Sequence, residues 1–162
     1  MKKKCIFLGG PIQNISNDNK EVYSEKKLLI QNIVDCLEKE EMQILSAHVT
    51  EAFGLLTPQV NHICRRDYSW MKQCDAFCVL LIPDEKGFIR SDGSCIELGW
   101  AYSLRKPIIV VTEPNQLYKF SALLQGMLIE AKVRIVSFSD IENNVQLLAD
   151  VIMDAVEENS TK

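Results

Sequence analysis

Ser91-Asp92-Gly93-Ser94-Cys95-Ile96-Glu97 sets small polar residues ahead of a single carboxylate, Glu97, where an apolar strand gives way to a helix. That spacing could serve nucleophilic chemistry on an anionic ligand. Backbone N–H groups at a helix start attract phosphate, and a carboxylate in the first turn could attack a carbon held beside it. A lone Glu there is also what an ordinary helix uses to match its own dipole. On this stretch alone both readings stand.

The elements that must position the loop are legible as short apolar runs alternating with helical periodicity. Lys4–Gly9 is expected to be a buried strand ending in Gly9-Gly10-Pro11, a turn where backbone can approach a ligand closely. From about Lys20 to Glu40, Val22, Leu28, Leu29, Ile33, Val34 and Leu37 recur at helical spacing, and Met42–Leu45 follows as a strand. A helix over Pro58–Gln73 leads into a strand over Ala76–Ile82; the Glu97 helix leads into a strand over Pro107–Val111. A short helix around Phe120–Leu128, a strand over Val133–Phe138 and a helix from about Ile141 to Val156 complete the alternation. Strands without polar alternation belong to a parallel sheet covered on both faces. The expected fold is therefore α/β and flavodoxin-like (Rossmann-like, three layers), a five-stranded parallel sheet in the order 2-1-3-4-5. In that order strands one and three meet at the switch point, so the Gly9–Gln13 and Ser91–Glu97 loops border one crevice.

Composition narrows the function classes. The 162 residues make one ordinary domain, 47% hydrophobic and 25% charged, with a net charge of −4. No basic field exists for a nucleic-acid polymer. The apolar run Cys5–Leu8 behind Met1-Lys2-Lys3-Lys4 is too short for a signal peptide or a membrane span, so a cytoplasmic protein is expected. The six cysteines fall mostly in apolar segments and suit buried thiols in a reducing compartment. His62, Cys64, Cys74 and Cys78 lack the paired spacing of a metal site, and no metal or other cofactor is expected. Neither Gly-rich loop matches a dinucleotide or Walker fingerprint. There is no internal repeat or linker.

Four segments should converge at the strand ends: Gly9-Gly10-Pro11-Ile12-Gln13, Ala47-His48 through Gly54, Arg66-Asp67-Tyr68-Ser69-Trp70, and the Glu97 loop. Together, Phe7-Leu8-Gly9-Gly10-Pro11, Ala47-His48 with Glu51-Ala52-Phe53-Gly54, and Glu97-Leu98-Gly99-Trp100-Ala101 resemble the nucleoside 2-deoxyribosyltransferase superfamily. The likeness runs from Ile6 to about Met127 and is greatest to its nucleoside 5′-monophosphate N-glycosidases, above all the CMP and 5-hydroxymethyl-CMP hydrolases. Asp67-Tyr68-Ser69-Trp70-Met71 with Asp75, and Ser121-Ala122, are more similar to the deoxynucleotide hydrolase relative.

The resemblance implies that Glu97 is the nucleophile that attacks C1′ and that water resolves a glycosyl-enzyme intermediate. The helix start would keep Glu97 ionised. Asp67 matches the second acidic position, which orients the nucleophile or assists departure of the base; a helix-terminal or surface carboxylate is the other reading. His48 would line the base or sugar pocket, or else be a hydrogen-bonded structural histidine. Tyr68, Trp70 and Trp100 read as core. Ser91 stands six residues before Glu97, where the resembled transferases hold an Asp for the free 5′-hydroxyl and the hydrolases a Ser for phosphate. Gly93, Ser94 and Gly10 are further phosphate donors, with Pro11 and Ile12 beside them. Ser121 matches a family serine that reaches the phosphate from the neighbouring subunit, which implies a homodimer with shared sites; an ordinary helix cap is the other reading. Gln13 departs from the family in replacing a basic residue near the ligand. Three functions remain in view: a nucleotide N-hydrolase for ribo- or deoxyribonucleotides, a 2-deoxyribosyltransferase, and a catalytically silent nucleotide-binding domain.

Overall fold

The computed structural model describes residues 3–12, 16, 22–56, 58–83 and 91–161. Three fully buried strands form the centre: β1 (Cys5–Gly9), β3 (Ala76–Leu80) and β4 (Ile108–Val111). Shorter strands β2 (Gln43–Leu45) and β5 (Arg134–Val136) close the two edges. All pairs are parallel and the order is β2-β1-β3-β4-β5, as the alternation of apolar runs predicts. The register Gly9↔Val79 brings the carboxyl ends of β1 and β3 side by side.

Period-two side-chain direction divides each central strand between two apolar layers. Ile6, Leu8, Ala76, Cys78, Leu80, Ile109 and Val111 face α1 (Ser24–Lys39) and the closing helices. Cys5, Phe7, Phe77, Val79, Leu81, Ile108 and Val110 face α3 (Val60–Gln73), α4 (Asp92–Ser103) and α5 (Ala122–Glu130). The Asp75 carboxylate accepts from the Cys5 N–H at 2.8 Å, and Lys106 donates to the Lys72 and Cys74 carbonyls that end α3. These contacts tie the amino-terminal ends of the central strands together.

Three elements differ from expectation. The closing helix is two, α6 (Phe138–Asn143) and α7 (Gln146–Ser160), because extended Asn144 interrupts it. The last strand stops at Val136 because the Ser137 hydroxyl accepts from the Asp140 N–H and starts α6 at Phe138. After β2 the chain forms one helical turn, α2 (Ala47–Thr50), then a 3-10 turn over Ala52–Gly54 in which Ala52 and Phe53 adopt φ of 47° and 55°. Among the described residues no helix is long and apolar enough to cross a membrane. The six cysteines are free thiols.

Candidate active site

A cavity of about 480 Å³ opens at the carboxyl ends of β1 and β3. That volume is in the range of small-molecule sites. Its wall includes Gly10, Pro11 and Ile12 after β1, Ala47 and Glu51 after β2, Ile63, Arg66 and Asp67 on α3, and Ser91 to Ser94 with Glu97 on α4. The parallel sheet causes this convergence, since each strand delivers its following loop to the same edge.

At the start of α4 the Ser91 hydroxyl accepts from the Ser94 N–H at 3.2 Å and donates to Ser94 Oγ at 2.6 Å. Ser91 is therefore the helix cap, and the helix begins at Asp92, earlier than the small residues suggest. Glu97 consequently lies in the second turn, and Asp92 is the first-turn acid. The Ser94 amide is engaged by the cap, while its hydroxyl proton and the Gly93 amide remain for an anion.

Burial, and after it the charge of Asp67, push the Glu97 carboxyl up to about 8 against the opposing effect of Arg66. The expectation that the helix start keeps it ionised is thus corrected: in the second turn, loss of water outweighs the dipole. Gly9 makes room for it. A Cβ on Gly9 would come within 2.7 Å of Glu97 Oε2 and 2.8 Å of the Phe77 ring. Gly10, at φ 154°, would bring a Cβ to 2.8 Å from the Leu80 carbonyl, so a side chain there is excluded on both counts.

Asp67 sits in the body of α3 and is 6% exposed, which fits neither a helix-terminal nor a surface carboxylate. Its Oδ1 accepts from Arg66 Nε at 2.7 Å, while Arg66 Nη2 donates to Glu51 Oε1 at 2.7 Å. The guanidinium lies 4.6 Å from the Trp70 ring centroid. Burial lowers the Arg66 pKa, but its bonds to Asp67 and Glu51 prevail and raise it above the usual value. Neither Glu51 nor Arg66 could be singled out from spacing. Their pairing spans 15 positions and exists only because α3 crosses the segment after β2.

Of the two readings of His48, the structure shows the hydrogen-bonded structural histidine. It is fully buried behind the β1 loop and does not line the cavity. Its Nε2 is 3.0 Å from the Pro11 carbonyl, which can only accept, so Nε2–H donates and Nδ1 faces the Ser46 hydroxyl at 3.4 Å. Burial lowers its pKa to about 4 despite the Pro11 bond, and the ring is neutral. His48 positions the Gly10–Pro11 turn. Ser121 is outside the cavity and caps α5, accepting from the Leu124 N–H at 3.3 Å. Gln13 lies outside the described residues. Trp70 and Trp100 pack against the core, and the more exposed Tyr68 meets Trp100 edge-on at 5.2 Å.

A doubly wound parallel sheet with a carboxylate in its switch-point crevice defines a class of α/β proteins whose ligands sit beyond the carboxyl ends of the strands. The chain belongs to the nucleoside 2-deoxyribosyltransferase family, whose description matches residues 6–145. Among solved structures it is similar to BlsM, with a TM-score of 0.77 and 23% identity over 98% of this chain and 94% of that one. It is also similar to the CMP N-glycosidase BcmB of Clostridium botulinum (TM-score 0.61, 21% identity, 90% and 98% covered). A conserved protein from Enterococcus faecalis V583 shares the fold at a TM-score of 0.60 and 15% identity, with 90% and 99% covered. A search of curated protein sequences finds no match.

Proposed function

We propose that the protein is a pyrimidine nucleoside 5′-monophosphate N-glycosidase, with CMP or 5-hydroxymethyl-CMP as substrate and free base and ribose 5-phosphate as products. The observation that carries this reading is the placement of Glu97 and Asp67 in one cavity with the capped start of α4. In this scheme a Glu97 carboxylate oxygen bonds to C1′ as the C1′–N bond breaks, and the base leaves with the bond pair and takes up a proton. Water then attacks C1′, loses a proton, and releases Glu97 as carboxylate. Asp67, held by Arg66, orients the nucleophile or assists the leaving base. The site would be shared in a homodimer, with Ser121 of one protomer reaching the phosphate bound by the other. The exposed apolar side chains of Tyr118, Leu123 and Ile129 around α5 support such an interface. Free thiols fit a cytosolic setting.

The family description keeps a 2-deoxyribosyltransferase as the second reading. Ser91 favours hydrolysis of nucleotides, because its uncharged side chain, beside the Ser94 hydroxyl proton and the Gly93 amide, tolerates a phosphate that a carboxylate would repel. The test is release of free base from CMP, 5-hydroxymethyl-CMP, dCMP, UMP, purine monophosphates and unphosphorylated nucleosides. CMP should exceed cytidine in kcat/KM by several powers of ten, since two or three charge-assisted hydrogen bonds contribute about 1.5–3 kcal/mol each. Ser91→Asp should abolish that preference. Equal turnover of cytidine and CMP would favour the transferase, and binding without base release would indicate a silent module.

A further inference from the structure

We propose that Glu51 and Arg66 form the base-selecting edge of the cavity, reading the amino group and adjacent ring nitrogen of an amino-pyrimidine and rejecting an oxo-pyrimidine; this rests on the nucleotide N-glycosidase reading. The sheet order supplies the layout. In β2-β1-β3 the segment after β2, which carries Glu51, flanks the Gly10–Ile12 loop, and the same cavity wall holds the start of α4 at Ser91–Ser94. A nucleotide with C1′ at Glu97 and its phosphate at Ser91–Ser94 would direct its base toward Glu51 and Arg66. The wall there fits a heterocycle. Pro11, Ile12, Ala47 and Ile63 offer apolar surface to its faces, and Glu51 and Arg66 offer polar groups to its edge.

The chemistry of that edge is ordered. Glu51 Oε1 is taken by Arg66 Nη2, and no other bond to the Glu51 carboxylate is found among the described residues. Its second oxygen, on a nearly buried side chain that lines the cavity, is an acceptor without a donor among the described residues. Arg66 directs Nε–H to Asp67 and one Nη2–H to Glu51, which leaves N–H groups on the same guanidinium. An acceptor beside a donor complements the exocyclic amine and N3 of cytosine. Uracil presents the reverse order, a carbonyl where the amine would be and N3–H where the acceptor would be. With C1′ held at Glu97 the ring cannot slide to restore a match. The backbone also holds Glu51 firmly: Ala52 and Phe53 follow in consecutive left-handed conformations, and the Glu51 carbonyl accepts from the Gly54 and Leu56 N–H groups.

The wild-type protein should therefore show a kcat/KM for CMP about a hundredfold above that for UMP, as expected where a buried polar group loses its partner. Glu51→Gln keeps an oxygen for Arg66 and turns an amide N–H₂ toward the base. It should lower CMP turnover and raise UMP turnover, so that the ratio falls below about ten. Changes of opposite sign would not arise from a merely structural role. An unchanged ratio, or equal losses on both substrates, would overturn the assignment. Should Glu51→Gln fail to fold, calorimetric binding of CMP and UMP to the wild-type protein decides instead, and equal affinities would overturn it. Wild-type protein that releases base from no monophosphate yet binds CMP more tightly than UMP would refute the glycosidase reading while supporting this one.

Discussion

In the proposed mechanism the carboxyl group that attacks carbon is useful only when ionised, and Glu97 sits where ionisation is costly. Burial and the neighbouring Asp67 raise its pKa to about 8. The expected consequence is a kcat/KM for CMP that climbs with pH along a limb centred near 8, with Glu97→Gln removing nearly all turnover. Asp67→Asn should move the limb to lower pH by removing a like charge, and should also cost on the order of a hundredfold in rate. A profile flat from pH 6 to 9 would exclude Glu97 as the titrating nucleophile. Stability should move the opposite way from activity. A folded-state pKa above the unfolded value means that the protonated form is favoured in the fold, so this contribution is complete below the ordinary carboxylate range and lost as pH rises through about 8. Glu97→Gln should accordingly raise Tm relative to wild type more at about pH 9 than at about pH 5.

At the scale of elements, the site depends on how closely α4 approaches β1. Gly9 is the last residue of β1, and a side chain there would occupy the space of the Glu97 carboxylate and the Phe77 ring. Gly9→Ala should leave the fold intact at a cost of about 1–3 kcal/mol for overpacking, read by urea unfolding. It should also lower kcat at least about tenfold by displacing the nucleophile. Unaltered kcat would mean that Glu97 acts from another position than the one it holds against β1. The same contact explains a limit of sequence reasoning. Gly9-Gly10-Pro11 was legible as a place of close approach, but the nearest group to Gly9 is the protein's own carboxylate, which only the packing of α4 on β1 could disclose.

For the whole molecule, the proposed shared site predicts complementation. Ser121 caps α5 beside exposed Leu123 and Ile129, apolar side chains that the proposed interface would bury. Mixing Glu97→Gln and Ser121→Ala protomers should create dimers in which one site keeps both residues. Activity should then exceed that of either parent. Subunit exchange demonstrated by mass, with no recovery of turnover, would refute the shared site and leave Ser121 as the cap of α5.

The sequence by itself determined the sheet and the neighbourhood of the site, because those follow from local patterns. Continuous apolar runs specify buried parallel strands, helical periodicity specifies the layers, and parallel topology obliges Gly10, Asp67, Ser91 and Glu97 to meet at one edge. Helix starts were less legible, since Asp92-Gly93 resembles a loop until the Ser91 hydroxyl caps it. Only the tertiary structure decided the protonation of Glu97, the turning of His48 onto the Pro11 carbonyl, and the bridge from Glu51 through Arg66 to Asp67. These depend on desolvation and on contacts between residues distant in the chain. Both arise from packing, which no local pattern of residue types encodes.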